Sequence, residues 1–388
     1  MVVLKAALLL IVPAVLSVLA YQYHLKAEQE PQDWKVTANR IRLSDGRHIA
    51  YEIVGSKESS NPIFWFHGLA SSRYEASAPR LDVLNDLDAH TIGIDRPAVG
   101  QSDPHAGRSF QSFAADVAQV ADKLGIKTFF VVGVSGGGPY ALATAYYLPD
   151  RVRGVLLISP ASDYNLLTPQ QQEEWNHFHA ATWLSKAVRA AVRFAPWTLK
   201  GLARVSETRI GGRALYNSVL KGLVSALRDS RAEVDKRCIA SMKAEGVIPT
   251  GAPPPASDCA QEGKIPNALA NVDRKCLAAE RPEHVTQTIP ESQRQKTAAV
   301  LFQDVALFHT PWAFNVSEIR PEIRRATHIW QGTGDKQCPV VGAEALASAV
   351  EGSQLYIEKD GGHFAYFGCS EANRRKALSN LIKSGRSI

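Results

Sequence analysis

A serine hydroxyl attacks an electrophilic carbon only when a base takes its proton, and the base must itself be held in one tautomer and orientation by a third group. The chain contains such a set at wide spacing. Gly133-Val134-Ser135-Gly136-Gly137 places a serine among small residues, between the β-branched apolar run Thr128 to Val134 and the helical run Gly137 to Tyr147. A serine presented at such a junction sits on a sharp turn at a strained backbone angle, which bulky neighbours would forbid. A purely structural Gly-rich turn is the alternative. His363 is the candidate base. It follows the run Gln354 to Glu358, and of eleven histidines it alone sits after a late strand beside two glycines. Asp335, in Gly332-Thr333-Gly334-Asp335 after the run Thr327 to Gln331, is the candidate acid, with Asp163 after the run Val152 to Ser159 as its rival. Negative charge developing on a substrate oxygen needs backbone donors. Gly136, next to the serine, offers one N–H. Leu69, in Phe66-His67-Gly68-Leu69 after the run Ile63 to Phe66, offers the other. His67 is expected to tie down that loop rather than act as a base.

These residues converge only if the elements carrying them do. Asn39 to Leu43 and His48 to Val54 flank Ser44-Asp45-Gly46-Arg47, a hairpin signal. His90 to Asp95 reads as a further strand. Phe110, Phe113, Ala114, Val117, Val120 and Leu124 recur at helical spacing, so Ser109 to Leu124 is an amphipathic helix. Strands alternating with helices predict a parallel sheet covered on both faces, with the loops after its strands on one edge. The alternation stops at Pro160 and resumes after Arg325 with a strand, the helix Val341 to Val350, a strand and the helix Glu371 to Ile382. Residues 161–325 are mostly helical and irregular, with a capped helix start at Thr168-Pro169-Gln170-Gln171. The expected organisation is a leader over 1–23, a linker over 24–35, a core over 36–160 and 326–388, and an inserted helical lid over 161–325.

Hydrophobic residues are 45% and charged residues 21% of the 388, which excludes a disordered chain. Five cysteines and no C-x-x-C pair exclude a disulfide-dense scaffold and a zinc ribbon. No metal or organic cofactor is implied. After Lys5, the stretch from Ala6 to Ala20 is uncharged. It reads as a signal peptide cut after Ala20, or, counted on to Tyr23, as an uncleaved membrane anchor. A buried N-terminal helix is the bland alternative. Either of the first two sends the chain into the secretory pathway, secreted or anchored, and Asn315-Val316-Ser317 is a glycosylation sequon that agrees. Between Lys186 and Lys243, thirteen Lys and Arg face only Glu207, Asp229, Glu233 and Asp235. Interleaved apolar residues make this stretch either a membrane-surface element or the solvated face of an ordinary lid helix. No stacking platform or recognition motif accompanies the charge, so nucleic acid is not an expected partner. Nothing in the pattern speaks to oligomeric state.

The chain resembles the α/β-hydrolase fold superfamily, in the branch with a lid between strands six and seven. The resemblance rests on His67-Gly68, Asp95-Arg96-Pro97-Ala98-Val99-Gly100-Gln101-Ser102, the serine turn, Leu148-Pro149-Asp150-Arg151-Val152, the Gly332/Asp335/Pro339 loop and Gly362-His363. Ala98 departs from the family, where glycine is usual. The resemblance implies that Ser135, Asp335 and His363 form a triad cleaving a carboxylic ester or related acyl bond, on a small-molecule or lipid-like substrate. It also makes Asp95 structural and disfavours epoxide hydrolases and haloalkane dehalogenases, which use an aspartate nucleophile. Peptidase and C–C-bond hydrolase activities, a tailoring hydrolase of small-molecule biosynthesis, and a ligand receptor that does not hydrolyse remain open. In this fold the strands before Asp335 and His363 are neighbours, which makes a Cys338–Cys369 disulfide an expectation.

Overall fold

The computed structural model describes residues 38–69, 71–105, 107–179, 304, 307–308, 311–335, 337–359, 361–363 and 371–387. The expected leader and linker, and most of the expected lid, lie outside the described residues.

Eight strands form one sheet: β1 (Asn39–Arg42), β2 (His48–Val54), β3 (Asn61–Phe66), β4 (Ala89–Ile94), β5 (Phe129–Val134), β6 (Val152–Ile158), β7 (Thr327–Gly332) and β8 (Gln354–Glu358). Their order is β1-β2-β4-β3-β5-β6-β7-β8. β1 and β2 form the expected hairpin and β2 meets β4 antiparallel, while every pairing from β4 to β8 is parallel. The helices are α1 (Leu81–Asp86), α2 (Phe110–Lys123), α3 (Gly138–Tyr147), α4 (Pro169–His179), α5 (Pro321–Arg325), α6 (Val340–Ala349) and α7 (Glu371–Ser384).

Both faces of the central strands are covered, which is why β3, β4, β5 and β7 are buried along their whole length. Side chains alternate between the two faces along a strand. Phe64 and Phe66 of β3 therefore pack with α2, α3 and α6, while Ile63 and Trp65 pack with α1 and α7. The apolar stripe of α2 (Phe110, Phe113, Val117 and Val120) is buried as its spacing predicted, at roughly 1.5–3 kcal/mol per large side chain. Ser109 starts that helix reciprocally: its Oγ accepts from Ser112 N at 3.0 Å and Ser112 Oγ accepts from Ser109 N at 2.9 Å. Thr168 and Gln171 form the expected cap of α4 in the same way, at 3.3 and 3.0 Å. The chain leaves the sheet after β6 and re-enters at β7, so the insertion lies between strands six and seven. Among the described residues, no helix is long and apolar enough to cross a membrane.

Candidate active site

Parallel strands end on the same edge of the sheet, and the crevice at that edge is where such folds place their chemistry. β3 delivers His67 to Leu69, β5 delivers Ser135, β7 delivers Asp335 and β8 delivers His363. Ser135 has φ +51°, a left-handed backbone conformation that only a tightly determined turn imposes on a serine. The flanking glycines are required by close approach: a Cβ on Gly133 would lie 2.6 Å from Gly137 O, and one on Gly137 would lie 2.0 Å from Phe66 O. The turn thus leaves Ser135 half-buried at the end of β5 while its neighbours are buried.

His363 and Asp335 meet as the spacing anticipated. The His363 Nδ1–H donates to Asp335 Oδ2 at 2.8 Å, and both side chains are buried. That bond commits Nδ1 to carrying the proton and leaves Nε2 as an acceptor. Asp335 is held on all sides. Oδ2 also accepts from Gln331 Nε2 at 3.0 Å, and Oδ1 accepts from the N–H groups of Gln337 and Cys338 at 2.8 and 2.9 Å. Burial pushes its carboxyl up, but His363 and these donors outweigh burial and hold it below the ordinary carboxylate range. The rival Asp163 is bonded elsewhere, to its own loop and to the segment before β7. It accepts from Asn165 N at 2.8 Å and from Trp312 N at 3.2 Å. Ser159, at φ +45°, donates its hydroxyl to His363 O at 2.8 Å and so anchors His363 from the end of β6.

The loop after β3 is braced from below. His67 is buried, with Nδ1–H donating to Gly68 O at 2.8 Å and Nε2 accepting from Arg96 N at 3.4 Å. Burial, and then the Arg96 charge, hold its pKa well below the usual imidazole value, so it is neutral and structural. Gly68 N donates to Glu75 Oε2 at 3.1 Å, and the next N–H along the chain is that of Leu69. Above Gly136, a Cβ would come within 3.0 Å of Leu69 Cγ and of the Phe308 ring, so both side chains crowd that peptide. Asp95 is structural as expected. Its carboxylate accepts from Arg73 N at 2.7 Å, Arg73 Nη1 at 2.5 Å and Gln101 N at 3.1 Å. Ala98 stands at φ +63°, which accounts for the family's glycine preference there.

Cys338 departs from expectation. It is a buried free thiol, and Cys369 lies outside the described residues. Its sulfur turns inward, within 4.8 Å of ligand atoms of both Asp335 and His363. Burial and the Asp335 charge push the thiol well up, so it is protonated beside the serine and no rival nucleophile. A metal fits this cluster poorly, because both Asp335 oxygens are already saturated by four N–H donors. Sequence reasoning missed Cys338 and Ser159 as site residues. The expected sequon residue Asn315 is exposed, and its Oδ1 caps a short 3₁₀ turn by accepting from Ser317 N at 3.0 Å.

The strand order, the serine turn and the loops at one sheet edge define the α/β-hydrolase fold. The family described as alpha/beta hydrolase fold matches residues 61–192. A thermophilic esterase from Thermogutta terrifontis superposes with a TM-score of 0.54 at 17% identity, over 90% of this chain and 99% of that one. An esterase from Exiguobacterium antarcticum does so with a TM-score of 0.50 at 18% identity, over 89% and 100%. Among curated proteins, the dihydrolipoyllysine-residue acetyltransferase component of the acetoin cleaving system of Cupriavidus necator is 31% identical over 140 residues, 36% of each chain. The sn-1-specific diacylglycerol lipase of Danio rerio is 20% identical over 196 residues, 50% of this chain and 59% of the lipase. The matches therefore span about a third to three fifths of those relatives. The chain has the α/β-hydrolase fold, and these likenesses support a hydrolase.

Proposed function

We propose that the protein is a serine hydrolase that cleaves a carboxylic ester or related acyl bond through an acyl-enzyme. The observation that carries the reading is the buried 2.8 Å His363–Asp335 pair on the same sheet edge as a half-exposed serine in a left-handed turn. Ser135 Oγ attacks the carbonyl carbon while His363 Nε2 takes its proton. The tetrahedral oxyanion is held by the Leu69 and Gly136 N–H groups. Collapse breaks the bond to the leaving alcohol, which departs with the proton from His363. Water then attacks the acyl-serine, giving its proton to His363, and the acid product leaves as Ser135 Oγ regains that proton. Asp335 stabilises the imidazolium throughout without itself being protonated. The leaning towards an apolar or lipid-like acyl group is supported by Leu69 and Phe308 beside Gly136, and by the diacylglycerol lipase named above. The N-terminal apolar run and the basic stretch 186–243 support a secretory destination and contact with a membrane surface.

A series of p-nitrophenyl esters of increasing acyl length tests the reading. Hydrolysis with a stoichiometric burst of nitrophenol, lost by about 10³-fold or more in Ser135→Ala, is the expected result. Wild-type protein that turns over no ester and gives no burst would overturn it.

A further inference from the structure

Three charged side chains meet beneath the loop that carries Leu69. Arg96, Arg108 and Asp304 are each buried to about 1% exposure. Asp304 belongs to the segment inserted between β6 and β7, 208 residues from Arg96 in sequence. Its Oδ2 accepts from Arg96 Nε at 3.2 Å and Nη2 at 3.0 Å. Its Oδ1 accepts from the Tyr140 hydroxyl at 2.5 Å and is paired with Arg108. Arg96 passes this restraint on, donating to His67 O and, through Nη2 at 3.1 Å, to Gly68 O.

The Gly68 carbonyl and the Leu69 N–H are the two ends of one planar trans peptide. Whatever holds that oxygen sets the direction of the N–H, which points the opposite way. Three donors share that oxygen, His67 Nδ1–H at 2.8 Å, Arg96 Nη2 at 3.1 Å and Ser71 N–H at 3.4 Å; Arg96 is the one tied to the inserted segment, and a fully buried guanidinium sits where its counter-charge is. Four residues beyond Asp304, the Phe308 ring packs close over Gly136, the second donor, and lies 6.3 Å from the Tyr140 ring. One inserted segment reaches the surroundings of both donors.

We propose that Asp304 is a positioning residue of the oxyanion hole: acting through Arg96, it fixes the plane of the Gly68–Leu69 peptide, so that the inserted segment completes a site otherwise built on the sheet. The assignment rests on the ester-hydrolase reading, because that reading gives Leu69 its role.

The test compares the full chain with Asp304→Asn, Arg96→Lys and the double variant, in p-nitrophenyl butyrate kinetics and in amide hydrogen exchange over residues 66–72. Losing an oxyanion donor outright costs roughly 10²–10³-fold in kcat, so a misaligned one should cost about 10–10²-fold. Each single variant is expected to show that loss with KM within about twofold of wild type. The double variant should fall no lower than the worse single, since both act through one contact. Exchange at 66–72 should accelerate in both. A kcat for Asp304→Asn within about twofold of wild type, multiplying losses in the double variant, or unchanged exchange would overturn the inference. If Asp304→Asn does not fold, Tyr140→Phe carries the test. It removes one hydroxyl from the same carboxylate with every charge still paired, and kcat must fall as exchange at 66–72 rises, or the inference fails. Exchange is read without substrate, so a wild type inactive on esters would sink the hydrolase reading and still leave the Asp304 restraint to be judged.

Discussion

Replacing Asp335 by Asn exchanges one carboxylate oxygen for an NH₂ group and should disable the base. In the native site Oδ1 accepts two backbone N–H groups, and Oδ2 accepts from His363 Nδ1 and Gln331 Nε2. Asn has one acceptor oxygen. If it stays with the backbone donors, the new NH₂ faces two donors. Gln331 can resolve its half by turning over, presenting an Oε1 that has no partner in the native arrangement. It then loses the bonds Nε2 makes to Gly332 O and Cys338 O, at 3.2 and 2.9 Å. His363 can resolve its half only by moving its proton from Nδ1 to Nε2, after which it cannot take one from Ser135. A wrong tautomer in an otherwise intact triad costs about 10⁴-fold in kcat, or roughly 5.5 kcal/mol of barrier. Steady-state hydrolysis of a p-nitrophenyl ester, beside circular dichroism to show that the fold survives, measures this. Asp163→Asn is the matched control and should change little. A kcat for Asp335→Asn within tenfold of wild type, or a larger loss in Asp163→Asn, would refute the assignment of the acid.

Other expectations follow from single residues. His328 on β7 is buried, with Nε2 2.8 Å from Ser384 Oγ, and burial lowers its pKa to about 4. Against about 6.5 in the unfolded chain, the fold prefers the neutral ring. Stability is therefore full above pH 6.5 and falls by roughly 3 kcal/mol as pH drops towards 4. His328→Gln should flatten that part of the curve in urea melts, and an unchanged slope would rule the source out. Ala98→Gly relieves a left-handed alanine, and should stabilise by up to about 1 kcal/mol once glycine's greater unfolded-state entropy is subtracted; a lower melting temperature would contradict this. Protein lacking residues 1–23 should bind anionic vesicles at low ionic strength and be released by salt. Absence of binding would leave only the solvated-face reading of the basic stretch.

Local pattern was enough for the frame. β2 and β8 fall where alternation put them, and the ends of α2 follow from its apolar spacing and a serine cap. Ser135 was legible because the turn that exposes it demands glycine at fixed offsets, and Asp335 and His363 because each follows a strand that shares its edge. Two aspartates followed strands, however, and only the hydrogen bond to His363 separates Asp335 from Asp163. Cys338 was expected on the rim, paired with Cys369. Spacing does not say which way a loop side chain turns, and this one turns inward towards Asp335 and His363. Ser159 lies inside a run that reads as strand, and its positive φ leaves no trace in composition. Asp304 was the least visible of all. It sits in a helical block with no motif around it, and its partners are 164 and 208 residues away.

In the proposed reaction Ser135 is a nucleophile activated by His363. Labelling the full chain with a fluorophosphonate and locating the adduct by peptide mass spectrometry tests this directly. A single adduct on Ser135 is expected, absent from Ser135→Ala and formed at least about 10³-fold more slowly in His363→Ala. An adduct on any other residue, or an undiminished labelling rate without His363, would contradict it.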